Sequence, residues 1–128
     1  MRTPCLFCFL RVAQYEHLPI YKKAMDLAVY IENMVKGFSR YHKYSTGADL
    51  RSQVREIVRL IISANNATDK LGTLLSLRDT VEQLKVTIRI CKEVKAFKSF
   101  SSFQTAAEAA VNLSRQSEGW IKSVKSKS

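Results

Sequence analysis

The run Ala48-Asp49-Leu50-Arg51-Ser52-Gln53-Val54-Arg55-Glu56-Ile57-Val58-Arg59-Leu60-Ile61-Ile62-Ser63-Ala64 decides the fold class. Leu50, Val54, Ile57, Ile61 and Ala64 recur at alternating intervals of four and three, which places them on one face of an α-helix. The helix starts near Thr46 to Asp49, and Asn65-Asn66 followed by Thr68-Asp69 breaks it.

The same spacing extends in both directions. Upstream, Ile20, Ala24, Leu27, Ile31, Met34 and Phe38 share a face; Pro19 suits a first helical turn, and Gly37 with Ser39 marks the end. Arg40 to Gly47 reads as a polar loop. Downstream, Leu74, Leu77, Val81, Leu84, Ile88, Cys91 and Lys95 stay in register, and that helix ends in the Lys98-Ser99 region. The last helix opens at Ser101 or Ser102, either a suitable N-cap, and carries Phe103, Ala106, Ala110, Leu113, Ser117, Trp120 and Val124 at heptad spacing.

No alternating strand pattern flanked by turn residues interrupts these helices. The sequence therefore predicts an all-α fold, an up-down-up-down antiparallel four-helix bundle over residues 18–124. Residues 1–17 form an N-terminal extension, peripheral to the bundle or upstream of the native start. Residues 125–128 form a basic tail expected to fray.

Composition agrees with one helical domain. The chain has 128 residues, 46% of them hydrophobic, with four Gly and two Pro. That is enough to bury roughly two-thirds of the unfolded surface without a metal or disulfide staple, and too apolar for a disordered chain. Cys5 and Cys8 form a C-x-x-C, but no second pair follows, Cys91 stands alone, and His17 and His42 lack ligand spacing. No metal or other cofactor is expected, and an odd number of cysteines suits a reducing cytoplasm. Cys5 to Leu10 has the outline of a signal peptide, yet six apolar residues are too few for its hydrophobic region. No stretch approaches the ~20 apolar residues of a membrane span, so a soluble, cytoplasmic protein is expected.

Charge carries the functional information. Lys and Arg number 21 against 11 Asp and Glu, a formal net charge of +10, and such a surplus points to polyanionic partners. Arg51, Arg55 and Arg59 are spaced by four and line one face of the second predicted helix. Arg78, Lys85, Arg89 and Lys92 share a face of the third, with Lys95 and Lys98 extending its positive end. Glu56 and Glu82 are placed to pair part of this charge, and Glu93 interrupts the second run. These residues are the candidate nucleic-acid contacts, reading phosphates rather than base sequence. Base-stacking aromatics are sparse; Tyr41 and Tyr44, beside Arg40, His42 and Lys43, are the best candidates. Val58 and Ile62 on the second helix, and Val86, Ile90 and Val94 on the third, widen the apolar faces and suggest self-association. The chain has no Gly-rich phosphate loop, no nucleophile elbow, no Cys–His pair and no Glu-x-x-His, so no enzyme is expected.

Specific motifs sharpen this. Ala48 to Ile57 resembles the L-x-x-Q-hydrophobic-R signature shared by ribosomal-RNA intervening-sequence four-helix-bundle proteins and by Avd proteins, and Leu18-Pro19-Ile20-Tyr21-Lys22-Lys23 resembles their first helix. Leu84 to Lys95, and Arg115-Gln116-Ser117-Glu118-Gly119-Trp120-Ile121-Lys122, resemble Avd more closely, the accessory variability determinant of diversity-generating retroelements. The resemblance covers residues 18–124. It implies a non-catalytic basic bundle that assembles into a pentameric barrel, binds the retroelement's reverse transcriptase and template RNA, and supports mutagenic reverse transcription. It also implies basic positions at Arg55, Arg89, Lys92 and Lys122, whereas Glu118 stands where the family often has an apolar residue. The alternative is an intervening-sequence bundle acting as a protein-interaction module.

Overall fold

A computed structural model describes residues 17–127. Four long helices, α1 (Pro19–Lys36), α3 (Thr46–Asn66), α4 (Leu71–Glu93) and α5 (Phe100–Lys127), enclose one core, and a single helical turn, α2 (Arg40–Lys43), joins the first two. Among the described residues there is no strand. The principal packing pairs are α1 with α3, α3 with α4, α4 with α5 and α5 with α1. Each long helix thus touches its chain neighbours, and the last closes on the first.

The core comprises the periodic residues. Ile20, Ala24, Leu27, Ile31 and Phe38 from α1 and its C-terminal turn meet Leu50, Val54, Ile57, Ile61 and Ala64 of α3, and Leu74, Leu77, Val81, Leu84, Ile88 and Cys91 of α4. Ala106, Ala110, Leu113 and Ile121 close it from α5. Burying each large aliphatic side chain contributes about 1.5–3 kcal/mol relative to leaving it exposed. Val35 is buried where Met34 was expected, and Ile121 where Trp120 was expected, Trp120 being half-buried. Both are one-residue rotations of the face, the drift that accumulates when a 3.6-residue period is read as heptads.

Several boundaries differ from the expectation. Arg40 to Gly47 is not a loop, because α2 and the first turn of α3 occupy most of it. Helix α5 starts earlier than Ser101: the Ser99 Oγ accepts a hydrogen bond from the Ser102 N–H at 3.1 Å and caps it. Its other end runs on to Lys127, through residues expected to fray. Helix α4 stops at Glu93, short of the Lys98-Ser99 region, because Lys95 takes the left-handed conformation with φ +63°. The Ala96 N–H then donates to the Cys91 carbonyl at 2.9 Å and the Lys95 N–H to that of Lys92 at 3.1 Å. This is a Schellman closure, with Ala96 buried beneath it and a lysine where glycine is usual. Lys95→Gly is expected to stabilise the protein by about 0.5–1 kcal/mol, read as a rise in the urea midpoint.

At the opposite end of the bundle, the Lys70 ammonium donates to the carbonyls of Ala64, Asn65 and Ala67 at 2.9–3.0 Å. It satisfies acceptors that the C-terminus of α3 would otherwise leave unpaired. Cys5 and Cys8 lie outside the described residues. Cys91 is a free, fully buried thiol, and burial pushes its pKa up, which keeps it protonated and unreactive.

Candidate nucleic-acid interface

The fold separates the two basic stripes. Arg51 and Arg55 project from α3 toward α1, where both reach Glu32: Arg55 Nη2 donates to its Oε2 at 3.2 Å, and Arg51 Nε stands 3.8 Å from its Oε1. On α4, Glu82 accepts from Lys85 at 2.9 Å and from the Ser114 hydroxyl of α5 at 3.3 Å, and the Lys92 ammonium sits 5.2 Å from the centre of the Phe103 ring of α5. One stripe therefore borders the α1/α3 seam and the other the α4/α5 seam. Given the packing order, these seams lie on opposite sides of the bundle. A single straight strand cannot follow both on one subunit.

Most of the expected contacts are also held by carboxylates. Besides the Glu32 pairs, Arg59 is bidentate to Glu56, with Nε to Oε1 at 2.9 Å; Arg78 stands 3.8 Å from Asp79, and Arg89 donates to Glu93 at 3.1 Å. These pairs are solvent-exposed, and such pairs are worth only about 0–1 kcal/mol each, so a phosphate can displace the carboxylate at low cost. Lys95 is the expected contact that departs most from its predicted place. It lies beyond the end of α4 and off its face.

Two carboxyls show the pairing in their protonation. The hydrogen bond from Arg59 holds Glu56 below the ordinary carboxylate range, and that from Lys85 does the same for Glu82. A carboxyl depressed in the folded state adds stability above its unfolded pKa, and this is lost as pH falls through the lower folded value. Glu56→Gln/Glu82→Gln is accordingly expected to show a shallower loss of stability between about pH 5 and pH 3 than the parent, in urea midpoints at low salt.

Cations without an ion pair among the described residues stand at both ends of the bundle, Lys22, Lys23 and Lys122 at the end where α1 starts and α5 finishes. Lys36 at the end of α1, Arg40 and Lys43 in the α1–α3 connection, and Lys95 and Lys98 in the α4–α5 connection also make no ion pair among the described residues. The two connections meet at one end of the bundle. Phe38 and Phe97 pack edge-to-face at 5.7 Å beneath them, and a cleft of about 300 Å³ is lined from both sides by Ser39, His42, Lys95 and Lys98. Tyr41 and Tyr44 stand on the α2 turn, 79% and 68% exposed. The chain order of the helices could have revealed this meeting, because alternate connections of an up-down bundle share an end. Reading each charge run along its own helix missed it.

Among the described residues no three His, Cys, Asp or Glu side chains converge as a metal site, and no helix is long and apolar enough to cross a membrane. The largest apolar exposure along α4 and its C-cap is Val86, Ile90 and Val94, at 59%, 45% and 44%. Val58 and Ile62 are half-buried instead, and of the two Val58 packs against the bundle core.

Fold and charge together define a class, the basic four-helix bundles that present cations rather than reactive groups. Residues 18–124 match the family model described as bAvd-like. The chain belongs to the bAvd-like family, which places it, at family level, among the accessory, non-catalytic proteins of diversity-generating retroelements. No curated protein matches it.

Proposed function

We infer that this protein is a non-enzymatic accessory factor that binds the reverse transcriptase of a diversity-generating retroelement and its template RNA, and so supports mutagenic reverse transcription. Membership of the family over nearly the whole helical bundle carries this reading. The charge supports it, because phosphate neutralisation needs cations that can exchange a weakly held carboxylate for RNA. Arg51, Arg55, Arg59, Arg78, Lys85, Arg89, Lys92 and Lys95 supply that electrostatic affinity without sequence reading. The exposed Val86, Ile90 and Val94 support self-association, and a homo-oligomer, a pentamer by resemblance, multiplies weak contacts through effective concentration. The protein acts in the cytoplasm, where template RNA and polymerase are available to it.

The decisive experiment combines light-scattering mass with co-purification. The protein is expected to run as an oligomer, to bind the retroelement's template RNA in a salt-dependent way, and to retain its reverse transcriptase. A monomer indifferent to both would overturn this reading and favour the protein-interaction module.

A further inference from the structure

We propose that the end of the bundle where the α1–α3 and α4–α5 connections meet is a binding site for single-stranded nucleic acid, with Tyr41 and Tyr44 stacking on unpaired bases while Arg40, Lys43, Lys95 and Lys98 hold the flanking phosphates. The inference rests on the RNA-binding reading above and adds a place and a strand preference to it.

Three observations converge on this end. The first is electrostatic. The lateral arginines spend their charge on Glu32, Glu56 and Glu93, whereas the cations of the two connections have no carboxylate within ion-pairing distance among the described residues. The carboxylate nearest in sequence on α4, Glu93, is already engaged by Arg89 at 3.1 Å. An incoming phosphate therefore displaces nothing here.

The second is the placement of the rings. Tyr41 lies in the α2 turn and Tyr44 caps its end, and the Tyr41 ring meets His42 edge-on at 5.2 Å. The turn is itself fixed, since the Ser45 hydroxyl donates to the Tyr41 carbonyl at 2.8 Å and the Lys43 N–H to that of Ser39 at 2.8 Å. The rings remain outside the core, which the neighbouring Phe38 fills instead. Among the described residues they are the most exposed aromatic pair, and no aromatic at the far end of the bundle matches their exposure.

The third is shape. Bases stack on aromatic faces only when they are not already stacked in a duplex, and a single strand can bend between two connections that a rigid helix would bridge only at its backbone. Each ring also carries a hydroxyl and is flanked by cations, which fits a wet polyanion better than the acyl layer of a membrane.

The test measures binding of the full-length protein to a labelled unstructured RNA and to an RNA duplex by fluorescence anisotropy. Tyr41→Ala/Tyr44→Ala is expected to lose roughly tenfold affinity or more for the single strand and to leave duplex binding unchanged, whereas Tyr41→Phe/Tyr44→Phe keeps both. Arg40→Gln/Lys43→Gln is expected to lower the single-strand salt slope by about 1.4, two phosphate contacts at 0.7 each. The proposal is overturned if the alanine pair binds single strands as the parent does, if it weakens duplex equally, or if the end binds phosphatidylserine vesicles and not RNA. RNA binding that is indifferent to the tyrosines removes only this site. Absence of RNA binding by the parent removes both readings.

Discussion

Gly47→Val is expected to destabilise the protein by about 3 kcal/mol, lowering the thermal midpoint by on the order of 10 °C. Gly47 is buried in the first turn of α3, where the chain returns from α2 to pack on the end of α1. A Cβ there would lie 2.8 Å from Val35 Cγ1, 2.9 Å from the His42 carbonyl oxygen and 3.3 Å from the Phe38 ring. The carbonyl belongs to the backbone of the turn and cannot rotate away as a long side chain would. Relief requires moving α2, and with it the Tyr41 and Tyr44 turn, off the bundle. Gly119 provides the contrast, since a Cβ there meets nothing within 4 Å and the residue is helical, so Gly119→Ala is expected to stabilise by about 0.5–1 kcal/mol. Parallel melts of the two variants separate a packing glycine from a dispensable one; equal midpoints would show that the α1–α2–α3 junction yields without strain.

The contrast between those glycines marks what was legible beforehand. Periodicity revealed the four long helices and nearly all their buried residues, because a core face repeats and its signal accumulates over many turns. It misplaced the ends, where the cause is local. Lys95 adopts a conformation that sequence patterns assign to glycine, so nothing in the Val94-Lys95-Ala96 run announces the end of α4. Gly47 looked like loop punctuation and is instead the close contact that lets α3 start against α1. The positions of the arginines were readable for the same reason as the core. Their partners were only partly so: Glu56 and Glu82 lie three residues from theirs, within helical reach, but Glu32 comes from another helix and is visible only after packing.

That interhelical pairing also changes what the α3 stripe does. Three guanidinium groups confronting two carboxylates make a surface that is locally less positive than its arginine count suggests, and the two Glu32 pairs cross the α1/α3 seam while Arg59–Glu56 stays within α3. The stripe contributes a little to bundle packing and is available to phosphate only by exchange. The α4 stripe is paired in the same exchangeable way, but within its own helix, by Lys85–Glu82 and Arg89–Glu93. Exchangeable pairing on the sides and cations without an ion pair at the ends would, on the proposed reading, meet a polyanion with different salt sensitivity.

Arg51→Ala/Arg55→Ala/Arg59→Ala is expected to weaken RNA binding by on the order of a hundredfold at about 0.1 M salt and to lower the log–log salt slope by two to three, since each lost phosphate contact removes about 0.7–0.9 from it. Glu32→Gln/Glu56→Gln should act in the opposite direction. It leaves the same three guanidinium groups in place, removes the carboxylates that a phosphate must displace, and is expected to raise affinity roughly fivefold, the worth of three weak ion pairs. Both variants alter surface residues, and their melting midpoints should stay within about 1 kcal/mol of the parent. Opposite shifts would establish that the arginines touch phosphate and that the acids hold them in reserve. If the alanine variant kept the parent's affinity and salt slope, the stripe would be a seam between α1 and α3 and nothing more, and RNA contact would fall to α4 or to the tyrosine-bearing end. A loss in the alanine variant with no gain in the glutamine variant would mean instead that RNA engages the arginines without displacing Glu32 or Glu56, through the donors that these carboxylates leave unused.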